Sequence, residues 1–478
     1  MNETPPSFWK RPWRGPGRTF AWYGLATLGA FVALFVIGLL TQDTFGAPEL
    51  LGLAFVGSIL LAAFMFVAVL FFHWIACWQN LRRLLFAVVL LITLIALAYA
   101  EENWRGKHAW QTYRQQREAK GEKLSLAELL PPPVPDDQNF ALAPLLKPVM
   151  DFSHTANGLV WHDTNGVARL QAMAADLQPT RSTNKDLTLG SFEKDTFADL
   201  PAWARFYRGN TNYPQADPAA PPADVVLVAL SKFAPDLKDL ADAAAARPLS
   251  RFPIQYSHEP NWGILLPHLA RMKGLSTLLS VHATASLAAG RSADAFNDLQ
   301  LGLRFSDSIR NEPILIDHLV RIAVLYIDLQ TLREGLLRHA WSDAQLSQLQ
   351  AQLASIDILA EYQLAMRGER ACSLEAVDFL RRAALFLFVD NANPVDARGS
   401  RLAPSGWFYQ NMLTIARLDE QFSLRSIDPQ ARRVYPEIAL ADWRAVSDVR
   451  GVTYDLIHLS NAGIKLMTST ITAAVLGP

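Results

Sequence analysis

The chain has 478 residues, with 44 basic and 45 acidic side chains and a formal net charge of −1. That balance lacks the basic excess of a nucleic-acid-binding protein. The two cysteines cannot form a disulfide framework, and a chain this long can bury an adequate core without one.

The first hundred residues read as a membrane anchor. Apolar stretches at 20–40, 51–72 and 84–100 follow one another, the first two long enough to cross a hydrocarbon core of about 30 Å as helices and the third near the minimum. Lys10, Arg11, Arg14 and Arg18 precede the first stretch, Asp43 and Glu49 lie in the first loop, and Arg82 and Arg83 in the second. Basic residues stay cytoplasmic, so the N-terminus is expected inside and everything after Ala100 outside. Arg105, Lys107, Arg114 and Arg117 argue the other way, but they open a long domain where charge has less force. The first apolar run is longer than a signal-peptide core, and no small-x-small cleavage site follows it. His73 beside Trp74 reads as an interfacial side chain. Cys77 ends the second span and Cys372 lies far along the chain, so a bridge between them is not expected.

Residues 101–135 read as a helical stalk followed by a stiff spacer, because the run Pro131-Pro132-Pro133-Val134-Pro135 ends any helix and sets an extended segment. Residues 136–222 read as an irregular α+β segment, with Asn165-Gly166 between two apolar runs as a hairpin-turn signal. Residues 223–478 read as an α-helical domain. Leu269, Met272, Leu275, Leu278 and Leu279 recur at helical spacing, with Gly290 as C-cap and Ser292 as the next N-cap. Pro313 opens a helix over 314–338, Ser342 and Gln345 form a capping box, and a further helix runs over 358–389. Small residues at 285–295 resemble the hinge of a tetratricopeptide hairpin, without a repeat at fixed period. The fold class is therefore mainly α: a three-helix transmembrane anchor, then a bundle or solenoid-like domain with a minor β segment.

Four blocks carry a resemblance: 101–107 (EENWRGK), 131–141 (PPPVPDDQNFA), 163–166 (DTNG) and 365–371 (AMRGERA). The chain resembles, over most of residues 80–415, an uncharacterised family of bacterial membrane-anchored envelope proteins. The resemblance implies a bacterial source, an envelope location and a chain that continues beyond residue 478 in relatives; it brings no activity and no catalytic residues. Residues 466–476 are apolar but too few to span a bilayer, and read as a docking element.

No His-Glu-x-x-His, phosphate-cradling glycine loop or Gly-x-Ser-x-Gly occurs. His154, His162 with Asp163, and His258 with Glu259 are of ligand type, but their spacing matches no familiar zinc site, and neither metal nor cofactor is expected. His258, Glu259, Arg367, Glu369 and Arg370 form the candidate functional cluster, with ion pairs on a helix face as the commoner cause of such charges. Glu312, Asp317 and His318 near Arg321 read as helix-surface pairs, and Cys372 as a structural thiol. The apolar run over 383–389 is either core or a protein-binding surface, with Leu385, Phe386 and Phe388 as its contact residues.

Three functions fit. The first is a non-catalytic interaction or scaffold protein of the bacterial inner membrane, multi-pass, its partners the membrane and another envelope protein. It expects no cluster of perturbed titratable groups. The second is an envelope hydrolase with an unfamiliar site, and the third a ligand-binding sensor. The first is the reading adopted from the sequence.

Overall fold

The computed structural model describes residues 78–155, 158–175, 187–258, 261–383 and 404–438, with scattered positions between 26 and 68. The protein is mainly helical and divides into two units, Met1–Glu101 and Glu102–Pro478.

In the first unit residues 28–33 and 56–64 are helical. Helix α1, Trp78–Glu118, starts here and is the one helix among the described residues long and apolar enough to cross a membrane. It contains the stretch 84–100, whose apolar side chains are not buried in protein. Arg82 and Arg83, expected in a loop, lie inside this helix. Nothing in Trp78-Gln79-Asn80-Leu81 breaks a helix, and Arg82, one turn on, sits 5.2 Å from the centre of the Trp78 ring.

In the second unit the last turns of α1 differ from a free stalk. Trp110 and Tyr113 are buried in a core with Leu374 and Val377 of α12 (Ile358–Ala383) and Phe408 and Met412 of α13 (Ser405–Leu418). Two glycines make this packing possible. A Cβ on Gly106 would strike the carbonyl of Gly406, and one on Gly406 would strike the carbonyl of Glu102. Polar bonds hold the crossing: the Asn103 side-chain oxygen accepts from Gly406 N at 2.8 Å and from Ser405 Oγ at 3.0 Å. The turn α2 (Leu126–Leu129) leads into the proline run.

The middle of the chain builds the main core. A short helix α3 (Lys147–Met150) precedes an antiparallel hairpin of β1 (Phe152–Thr155) and β2 (Gly158–Trp161), which pairs Phe152 with Trp161. The hairpin thus lies before Asn165-Gly166, which instead opens α4 (Thr164–Ala175). Asp163 is the reason: its Oδ1 accepts the Gly166 N–H at 2.8 Å, the N-cap bond that starts a helix. Helices α5 (Leu200–Arg208), α6 (Pro222–Leu230) and α7 (Ala234–Ala246) follow.

Helix α8 (Pro267–Ala288) is the centre of this core, packed by α4, α6, α9 (Ser292–Ser308) and α10 (Leu315–Leu337). Most of this helix is buried, where a polar side chain is costly unless it finds a partner inside the protein. Ser276 Oγ donates to Met272 O at 3.0 Å, and Ser280 Oγ meets Thr331 Oγ1 at 2.7 Å. Gly290, at φ +76°, closes α8. Its N–H donates to Leu287 O and that of Arg291 to Ser286 O, the paired bonds of a Schellman turn. Arg291, not Ser292, is the N-cap of α9. Helix α11 (Asp343–Ala354) begins with the expected Ser342–Gln345 capping box. After α13 a π-helical turn, Asp419–Leu424, leads to the two-residue strands β3 (Ile427–Asp428) and β4 (Arg433–Val434).

Candidate functional site

The charged residues singled out on α12 diverge. Arg367 is exposed. The Oε1 of Glu369 accepts the Leu315 N–H at 3.0 Å, capping the start of α10. Arg370 is buried and turns to Glu122, with its Nη1 3.2 Å from Oε2, and to Asp419 at 3.7 Å. Residues 367, 369 and 370 cannot share one helical face, since successive positions rotate by about 100°. His258 packs against Gly263, and Glu259 lies outside the described residues, as do Leu385, Phe386 and Phe388. His162 is held by Asp151, Nδ1 to Oδ1 at 2.6 Å, and by Ser153 at 2.7 Å. Among the described residues no group of three or more His, Cys, Asp or Glu side chains is arranged to hold a metal.

The structure assembles a different set of titratable groups, where the start of α8, the first turns of α10 and the middle of α12 meet the loop before residue 258. Glu312, Asp317, His318 and Arg321 are all buried, at 4%, 0%, 4% and 1% exposure, so they are not helix-surface pairs. Spacing at i, i+1 and i+4 places three of them on one side of α10 but cannot say whether that side faces protein. Here the polar side faces in, while Ile316, Leu319 and Ile322 are exposed.

Arg321 is fully engaged. Its Nε and Nη2 donate to both oxygens of Glu361 on α12, at 2.6 and 2.8 Å. Its Nη1 donates to Ser306 O on α9 at 2.6 Å. Such a forked, buried pair fixes three helices to one another. Glu312 accepts from the Tyr256 hydroxyl and from the Phe252 N–H, and burial raises its pKa to about 7. Asp317 has no hydrogen-bond partner among the described protein groups. Burial first, then the neighbouring Glu312 and Glu369, push it up to about 8.

His268, one residue into α8, stacks on Phe252 with ring centres 4.1 Å apart. Burial pushes its pKa down to about 3. Its Nε2 lies 3.8 Å from Asp317 Oδ1, a distance that would make an ion pair only if both groups were charged. Desolvation favours the neutral form of each, so at neutral pH this contact is largely between neutral groups. His318 stacks on Tyr362, and burial, then Arg321, lowers it to about 4. Cys372 nearby is pushed up to about 12 by burial, which makes it a poor nucleophile.

Arg321 also reaches a groove that opens to solvent. This cavity of about 580 Å³ runs along α9, with α7 as one wall and the end of α11 as the other. The α7 wall is Ala241, Ala244 and Ala245. Along the floor, Arg304 donates from Nη2 to the carbonyls of Arg247 and Leu249 at 2.9 and 3.0 Å. Asp307 pairs with Arg310 at 3.1 Å. Gln300 and Gln352 exchange amide bonds across the groove at 2.9 and 2.6 Å.

Neither the groove residues Gln300 and Arg304 nor the buried Tyr256 and His268 stood out in the sequence. The one available signal for His268 was a polar residue at the start of a helix otherwise apolar on its repeating positions. No family model, no curated protein and no solved structure matches this chain. What fold and site define is a mainly helical protein with a candidate membrane-spanning helix, a buried carboxyl–histidine cluster and an open groove beside it.

Proposed function

We propose that the chain is a multi-pass protein of the bacterial inner membrane whose helical unit works without catalysis, presenting the groove over α9 to another envelope protein. The apolar stretches at 20–40 and 51–72 would join α1 in the membrane, with the N-terminus cytoplasmic and the second unit outside. The four motif blocks and their resemblance to membrane-anchored envelope proteins support the setting. The small residues between α8 and α9 support a repeat-like hairpin as the framework.

The observation that carries this reading is the groove itself. Its polar side chains are held in place by the protein before any partner arrives, which lowers the ordering cost of binding. The buried cluster runs against the scaffold reading, which expected no such grouping. An enzyme, however, needs substrate to reach its reacting groups, and Glu312 and Asp317 are enclosed.

Photo-crosslinking in the native membrane tests the proposal. A benzoylphenylalanine at Ser355, on the groove wall, should give one discrete adduct with a second protein. The same residue at exposed Arg205, away from the groove, should not. Equal labelling from both positions, or none from Ser355, would remove the interaction reading.

A further inference from the structure

We infer that the groove over α9 takes an acidic peptide segment of its partner, an inference that rests on the interaction reading above. Dimensions come first. The lining runs from Asn297 to Arg310, roughly 20 Å at the helical rise, which accommodates about six residues of extended chain. The alanine wall of α7 sends no side chain across this space, so a peptide backbone can lie close to it.

Charge comes second. The charged side chains that line the groove are Arg304, Arg310 and Arg321 against the single acid Asp307. Arg321 is matched from behind by Glu361 and is the least available of the three. Arg304 is anchored by two carbonyls, which are neutral acceptors, and rests over the Phe140 ring, so Asp307 is the one acid that offsets it among the described groove residues. Arg304 shares Asp307, at 3.6 Å, with Arg310, so one carboxylate faces two guanidinium groups and a positive charge is left over. Arg310 is the exposed one, at 42% for its side chain, with Asp307 as its partner. An incoming carboxylate would compete with Asp307 for Arg310 and add to the field of Arg304. Arginine is suited to this role because its planar fork meets a carboxylate with two bonds.

Hydrogen bonding comes third. Gln300 and Gln352, at the opposite end of the floor from Arg310, bond each other through one N–H each, which leaves the second N–H of each amide for the carbonyls of a peptide main chain. A nucleic acid would demand a wider basic surface than one groove in a chain of net charge −1.

The test uses the full chain in detergent and fluorescence anisotropy with labelled hexaglutamate, hexaglutamine and hexalysine. Hexaglutamate should bind at least tenfold more tightly than hexaglutamine, more weakly as salt rises, and hexalysine not at all. Arg310→Gln should weaken hexaglutamate binding at least tenfold while cooperative thermal unfolding is retained. Ala245→Trp, at an exposed position of the uncharged α7 wall, should weaken it likewise by filling the groove. Equal binding of hexaglutamine, or hexaglutamate binding indifferent to both substitutions, would overturn the inference. An adduct at Ser355 without hexaglutamate binding would remove the acidic-segment inference alone. Loss of both would remove the interaction reading as well.

Discussion

At the scale of single residues, the buried cluster makes stability depend on pH in a direction that can be worked out. Glu312 rises from an ordinary 4.5 to about 7 and Asp317 from 3.8 to about 8. A raised carboxyl contributes stability that is complete below its ordinary value and is lost as pH climbs through its folded value. His268 and His318 fall from 6.5 to about 3 and about 4. Their contribution is present above 6.5 and is lost as pH falls through the lower values. Between about pH 4 and 6.5 the two pairs oppose each other. Above 6.5 only the carboxyls of this cluster still titrate, so stability should fall from pH 6.5 to 8, and the raised His282 adds to the fall in the same direction. Glu369, Glu334 and Asp328, all raised by burial, act in the same direction. Asp317→Asn keeps the shape and removes the ionisation. Thermal unfolding across this range should show a shallower fall in the variant than in the parent. An equal slope in both would mean that Asp317 does not hold its proton. This cluster was poorly legible in the sequence: Glu312, Asp317, His318 and Arg321 attract notice as a charged run, but their partners Glu361 and His268 lie forty or more positions away. Nothing local says that α10 turns its charges inward.

Among the elements, the crossing of α1 and α13 rests on two glycines whose missing Cβ atoms let the backbones touch. Gly406→Ala would gain helix propensity but drive its methyl into the Glu102 carbonyl. Overpacking of this kind typically costs about 1–3 kcal/mol, and its neighbours here are backbone, which cannot rotate away. Denaturant unfolding should therefore show a lower midpoint for Gly406→Ala, and an unchanged midpoint would mean that the helices separate easily. Elements set by adjacent residues were readable in advance. The Ser342–Gln345 capping box and the Gly290 turn each need only a few consecutive residues to form, and both are present. Asn165-Gly166 misled because the pair serves either a hairpin or a helix start, and the choice fell to Asp163 as cap. The packing of Trp110 and Tyr113 onto α12 and α13 joins residues about three hundred positions apart, beyond any local pattern.

For the whole molecule, the proposed topology follows from a count of spans and the placement of Lys and Arg. Three spans beginning inside put the second unit outside; an even number would return it to the cytoplasm. Arg82 and Arg83 sit within the first turns of α1, where a cytoplasmic start of that helix keeps both charges in water. The basic residues Arg105, Lys107 and Arg114 follow the apolar part of α1 and would favour the reverse. Protease protection separates the two arrangements. In the described structure the loop 209–221 is largely exposed and carries several prolines, the kind of surface segment that proteases reach first. Protease added to intact spheroplasts should cleave the second unit, starting at such loops, while a cytoplasmic marker survives. Cleavage only after lysis would place that unit in the cytoplasm. The groove would then face cytoplasmic proteins, and its partner would have to be sought there.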